Sequence, residues 1–336
     1  MSFRFQIRAI ITALVALFLL NEATRVAGGG DPPARVDPLP TTIDATCQER
    51  FLQEALPAWK QLRERLRGFE VDLLLFDRRP CDDEAPDPTV LSTYGILKDG
   101  MTRRLDRIHC ADATRPLDVV RCVDVTNSRY SFSLARWADT YSIRQCVPWP
   151  QGDPQPLAGW LSIAEQNLAM GSNMWWLPIE TILADADFEM TGAEFGVSTS
   201  GDEVVRIAYR YTRKKSGAES DQPPDGVYWA ELLPARFWIA VRSGLITSMT
   251  DSPSSAPTQA QVTTRFQEWD GVPLPKEIRL EYVDLRRNLV VRVQENRFGP
   301  PREFNGPADE FFLPYYGLSD DPFPCEPGPT CWRFGR

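Results

Sequence analysis

His109 is the only histidine in the 336 residues, so any Ser-His-Asp or Cys-His catalysis has to run through it. It follows Ile108 at the end of an expected strand and precedes Cys110. No G-x-S-x-G nucleophile elbow accompanies it. The run Gly196-Val197-Ser198-Thr199-Ser200-Gly201 has neither that spacing nor the lysine of a phosphate loop, and reads as a turn. Paired carboxylates could hydrolyse glycosides. Asp82-Asp83 and the Asp185/Asp187 pair qualify by proximity, but 46 acidic residues produce such pairs by chance. Neither pair has a neighbour that would raise a pKa for acid-base work. Metal ligation would call for close Cys/His spacing, and no C-x-x-C is present, so neither a metal nor another cofactor is indicated.

The aromatics are more informative. Phe132, Tyr209, Tyr211, Trp229, Trp238, Phe266 and Tyr282 fall on expected strands, and Trp175-Trp176 stand just before Pro178. They are candidates for lining a dry pocket that holds a lipid or another apolar ligand. Ordinary core packing competes with that reading, because aromatic side chains dominate cores as well.

The elements that would position them follow from periodicity. Phe51, Ala55, Trp59, Leu62 and Leu66 recur at helical spacing across 44–68, with Thr46 and Glu49 as a capping box, Pro57 expected to kink the helix or split it in two, and Gly68 as a stop. The period then changes to two at Phe69, Val71, Leu73 and Leu75. Further strands are expected at 90–97, 101–108, 119–125, 129–135, 205–211, 227–233, 237–241, 245–249, 261–268, 276–285 and 289–298. Ser243-Gly244 is expected to turn two of them. Residues 148–156 read as a linker, and 157–170 and 178–184 as helices. Strands grouped apart from helices predict an α+β fold: a curved antiparallel half-barrel of about ten strands wrapping a few helices.

The N-terminus fixes the compartment. Arg4 and Arg8, the apolar run Ala9–Leu20 and the small residues Val26-Ala27-Gly28 form a signal peptide over 1–28. Twelve apolar residues fall short of the roughly 20 that span a bilayer. No cysteine near the cut suits lipid attachment. Residues 29–44 read as a flexible leader, 45–322 as the domain and 323–336 as a Cys-containing tail. A periplasmic or secreted protein is expected, not an integral membrane protein after cleavage.

Removing Arg4, Arg8, Arg25 and Glu22, net +2, takes the formal charge from −9 to about −11. That disfavours nucleic acid as a partner. Export makes disulfides the natural reading of Cys47, Cys81, Cys110, Cys122, Cys146, Cys325 and Cys331. Their odd number leaves at least one unpaired within the chain. Cys325 and Cys331 flank a Pro/Gly turn, and Cys110 and Cys122 could face each other across a short loop. Sequence leaves the pairing open.

Several stretches resemble the LolA/LolB-like lipoprotein-carrier family. They are Asn127–Arg136, a strand entered from an Asn-containing turn; Leu233–Ile239; Gly271–Lys276; and Glu310–Leu318. In the second, Leu233 and Phe237 stand where the group tends to carry the Asp and Gly of an Asp-Pro-x-Arg-Gly turn. The resemblance implies a curved sheet around helices, with an apolar cavity for an acyl chain. It does not imply lipoprotein transport, since these motifs carry topology and no chemistry. The expected function is a non-catalytic exported protein binding a hydrophobic small molecule or lipid. An envelope interaction protein with a filled core is the second reading, and an unrecognised hydrolase the third.

Overall fold

Asp44 sets the start of the long helix: its Oδ1 accepts the backbone N–H of Cys47 at 3.0 Å. That is an N-cap two residues before the expected Thr46. The helix, α1, runs Ala45–Arg65 without a break, and buries Cys47, Phe51, Ala55, Trp59 and Leu62. Pro57 does not split it: the helix is continuous on both sides of the proline, which lies on the exposed side. There the Gln53 carbonyl that loses its helical donor can turn to water. Gly68, at φ 72°, then swings the chain into the sheet.

The structure, a computed structural model, describes residues 39–78, 90–99, 102–109, 121–137, 140–148, 183, 188–198, 200–211, 226–247, 258–285, 287 and 289–319. Its strands are β1 (Phe69–Arg78), β2 (Val90–Ile96), β3 (Arg103–His109), β4 (Arg121–Thr126), β5 (Tyr130–Trp137), β6 (Thr140–Pro148) and β7 (Phe188–Val197). They continue as β8 (Glu203–Tyr211), β9 (Gly226–Leu233), β10 (Ile239–Thr247), β11 (Thr258–Trp269), β12 (Val272–Asp284), β13 (Leu289–Phe298) and β14 (Arg302–Glu303).

The fold corrects the expectation of a half-barrel of about ten strands wrapping a few helices. All 14 strands form one antiparallel sheet, in the order β6-β5-β4-β3-β2-β1-β13-β12-β11-β10-β9-β8-β7, with β14 beside β1. The sheet is not a closed barrel: β6 and β7 are its edges. Hairpins are local and legible, whereas the pairing of β1 with β13 that fuses two meanders is long-range and leaves no sequence signal. Among the described residues α1 is the one long helix. The expected helices at 157–170 and 178–184 lie outside them, except that Leu183 is helical and packs on the core.

Two covers lie on opposite faces, because antiparallel partners share a face. One face carries Phe69, Val71, Tyr94, Ile96 and Leu105 in register, and α1 packs against their cluster. The helix starts where Asp44 N–H meets Ala193 O of edge strand β7 at 2.9 Å, and it leads into β1. Seven strand steps at about 4.8 Å match the length of about 32 Å expected for 21 residues. Trp59 Nε1 donates to Trp238 O at 2.9 Å, and the Phe51 ring lies 5.8 Å from that of Trp238.

Trp238 and Phe237 both have left-handed backbones, at φ 56° and 57°. Each costs about 1–2 kcal/mol for a residue with a side chain. Phe237 is the position where the resembling family favours Gly. Here the Arg65 guanidinium, 5.3 Å above its ring, and the Trp59 hydrogen bond hold the turn.

On the other face, Phe311, Leu313, Tyr316 and Leu318 cover Val123, Val125, Phe132, Leu134 and Ile143. Asn127 organises this end. Its Oδ1 accepts the N–H groups of Arg129 and Tyr130, and its Nδ2 donates to Phe311 O at 2.7 Å. Two of the resembling stretches, Asn127–Arg136 and Glu310–Leu318, therefore pack on each other.

Candidate functional site

Beyond α1, toward the far ends of the strands on the same face, the register lines up one lane. Met190, Tyr209, Tyr228, Leu245, Ala260, Tyr282 and Arg292 are successive cross-strand partners from β7 to β13. The hydrogen bonds and ring contacts of α1 reach Glu203, Phe237 and Trp238, and its buried side chains share one core cluster with Met190, Tyr209, Tyr228 and Leu245. Tyr209 and Tyr228 stack at 5.4 Å, 13° from parallel, and Phe188 sits 5.5 Å from Tyr209. Burial, with Tyr228 alongside, pushes the Tyr209 hydroxyl well above the usual phenol range. Burial likewise raises Tyr282, against the opposing effect of Arg292. Both tyrosines are neutral at any physiological pH.

The lane changes character along its length. From Phe188 to Ala260 its floor is aromatic and aliphatic. At Tyr282 it becomes polar. The Arg292 guanidinium lies 5.9 Å from the Tyr282 ring, and Arg292 Nε donates to Asp77 Oδ1 at 2.9 Å, with Nη2 closing on the other oxygen. Gln294 and Asn296 face the same side, paired with Leu280 and Ile278. One row in, Ser243 lies between Ala230 and Val262. Its Oγ has no hydrogen-bond partner although the residue is only 4% exposed.

Of the residues singled out in the sequence, the lane unites Tyr209 and Tyr282. Phe132 belongs to the core of the other face, 5.9 Å from Tyr316. Trp238 and Phe266 pack into the core cluster that α1 joins. Trp229 points to the face opposite the lane, since it pairs with Ala208 and Gly244 rather than with Tyr209 and Leu245. Tyr211 closes β8, but its side chain lies outside the described residues, as do Trp175 and Trp176. Sequence reading missed Phe188, Tyr228, Leu245 and Ala260. β9 is buried on both faces after its second residue, so alternation could not tell Tyr228 from Trp229.

The opposite face is charged. Glu194, Arg206, Glu231, Arg242, Thr263, Arg279 and Glu295 form one register row. Glu231 lies 3.7 Å from Arg206 and 3.5 Å from Arg242. Beside them a recess of about 20 Å³, lined by Leu39, Pro40 and Trp229 among others, has room for about one water and not for an acyl chain.

Gly244 is no turn, contrary to expectation; it lies within β10, and a Cβ there would collide with Nε1, Cε2 and Cζ2 of Trp229. Gly244→Val is expected to cost about 1–3 kcal/mol by overpacking, read as a lower urea midpoint. The same change should leave ligand binding on the lane side intact.

Cys47 and Cys122 are free thiols. The expected Cys110–Cys122 bridge is thus not formed, while Cys110, Cys325 and Cys331 themselves lie outside the described residues. Burial, with Asp44 adding to it, pushes the Cys47 thiol up to about 11, which makes it a poor nucleophile. Among the described residues no three His, Cys, Asp or Glu side chains group as a metal site. No helix among them is long and apolar enough to cross a membrane.

No family model and no curated protein matches the chain. Among solved structures it is similar to the Mycobacterium tuberculosis lipoprotein LppX, at 9% identity over 78% of this chain and 99% of that one. The TM-score is 0.18, a value at which the likeness carries no argument about fold or function.

Proposed function

We propose that this chain is an exported, non-catalytic binding protein that holds a hydrophobic ligand, a lipid or an acyl chain, along the lane from Phe188 to Tyr282. The observation that carries the reading is the register. Aromatic and aliphatic side chains of successive strands line up on one face and give way to polar ones at Tyr282 and Arg292. The signal peptide and the stretches that resemble lipoprotein carriers agree with it.

The rival reading, an envelope interaction protein with a filled interior, has one observation in its favour. That observation is burial: Phe51, Trp59 and Trp238 fill the space under α1 with their own rings, and Tyr228, Leu245 and Ala260 of the lane are themselves 1, 0 and 6% exposed.

The purified exported chain is expected to bind an apolar fluorescent dye saturably and to release lipid on organic extraction. Ala260→Phe puts a ring into the middle of the lane. It should reduce dye affinity at least tenfold in a protein that still melts cooperatively. Absence of both dye binding and lipid in the wild-type chain would favour the filled-core reading.

A further inference from the structure

The outer side of edge strand β7 already takes on an extra strand. Ala193 N–H donates to Thr42 O at 3.0 Å and Asp44 N–H donates to Ala193 O at 2.9 Å, so residues 42–44 run parallel beside it. At Ala45 that segment turns into α1 and leaves the edge. The N–H and C=O of one strand residue point to the same side, and the side alternates along the chain. Phe195 and Val197 therefore present their backbone groups to the same open side as Ala193, and they have no partner there among the described residues. Their side chains are 39% and 67% exposed. Unpaired backbone beside exposed apolar side chains is a template for another strand.

We propose that this edge pairs with the same edge of a second copy of the chain, β7 antiparallel to β7 about a two-fold axis at Gly196. The strand is self-complementary in that register. Phe195 of each copy faces Val197 of the other, and because both present outward backbone groups, each such pair exchanges two hydrogen bonds. Their apolar side chains meet across the interface on one face of the sheet. Gly196 faces Gly196 at the axis, in a non-hydrogen-bonded pair whose Cα atoms come to about 4.5 Å. On the other face Arg206 leans over Gly196: a Cβ there would lie 3.6 Å from its Cζ. Glu194 shares that face and lies 3.6 Å from Arg206 of its own copy. It stands diagonal to Gly196 of the second copy, and so within reach of the second copy's Arg206. Opposite charges thus meet twice, once on each side of the axis. A two-fold pairing closes on itself and stops at two chains. An edge of this length buries well below the roughly 1,600 Å² of a stable interface, so the dimer is weak, with a Kd on the order of 10–100 µM.

Sedimentation velocity of the full exported chain, from about 1 to 500 µM, brackets that affinity. Wild type is expected to pass from monomer to dimer across the range. Val197→Lys sets a charge opposite Phe195 of the second copy and should weaken association at least about tenfold. Val197→Pro removes an outward donor and no bond to β8, and should do the same. Leu56→Lys, at another exposed apolar position on the outer side of α1, should leave association unchanged. All three variants are expected to melt cooperatively, as wild type does. Oxidising an equimolar mixture of Phe195→Cys and Val197→Cys should give covalent dimer well above the level from either variant alone, because only these two positions stand directly opposite each other. A wild-type chain that stays monomeric throughout, whether or not the edge captures an extended peptide, overturns the proposal. A dimer that both Val197 variants leave intact overturns it too, since the interface then lies elsewhere.

Discussion

Trp59→Ala is expected to destabilise the chain by about 4 kcal/mol, the usual range for emptying a buried Trp site. Trp59 is 1% exposed, edges the Phe51 ring at 6.2 Å and donates its indole N–H to Trp238 O. Its loss leaves a cavity between α1 and the sheet. It also orphans the carbonyl of a residue already held in a left-handed conformation. Thermal unfolding should show a midpoint lower by on the order of 10 °C. Trp59→Phe separates the two contributions: it keeps most of the ring and loses the hydrogen bond, at about 1–2 kcal/mol. Leu52→Ala on the outer side of the same helix, where Leu52 is 46% exposed, should stay within about 0.5 kcal/mol.

The second large effect belongs to Arg107 and Asp124. They lie on neighbouring strands β3 and β4, on the face that α1 covers further along, with Nη2 to Oδ2 at 2.8 Å and side chains 8% and 7% exposed. Removing one partner from a buried pair is costly, because the other charge has already lost its water. Asp124→Ala is expected to cost about 3–5 kcal/mol. The double variant Arg107→Met with Asp124→Leu should recover most of that, since an apolar pair of similar volume removes both desolvated charges. Equilibrium unfolding of the three proteins in urea measures it. A single variant as stable as wild type would show that water reaches the pair.

How much of this was legible beforehand depended on the range of the interaction. α1 was readable because Phe51, Ala55, Trp59 and Leu62 fall on one stripe, and its contact with the sheet preserved that pattern. β1, β5 and β8 were readable from local alternation. Ser243-Gly244 misled because a small residue inside a strand has the composition of a turn. Its true reason, the indole of Trp229 lying over Gly244, is a contact between strands. The turn that joins β9 to β10 is instead Pro234–Arg236 followed by Phe237 and Trp238. β6 was missed altogether, since Thr140-Tyr141-Ser142-Ile143-Arg144-Gln145 mixes polar residues through an edge strand. The aromatic set was found as a set but not sorted. Which of Tyr228 and Trp229 shares a face with Tyr209 depends on register, and both are buried.

The most direct test of the lane as the ligand site is photocrosslinking. An uncharged long-chain ester carrying a diazirine midway along its chain is bound to the exported protein and irradiated, and the labelled peptides are identified. Label is expected within 205–211, 226–233, 243–247, 258–262 and 280–284, and should be lost in Ala260→Phe. Saturable label confined to other segments, or label that Ala260→Phe leaves undiminished, would contradict the assignment of the ligand to this lane.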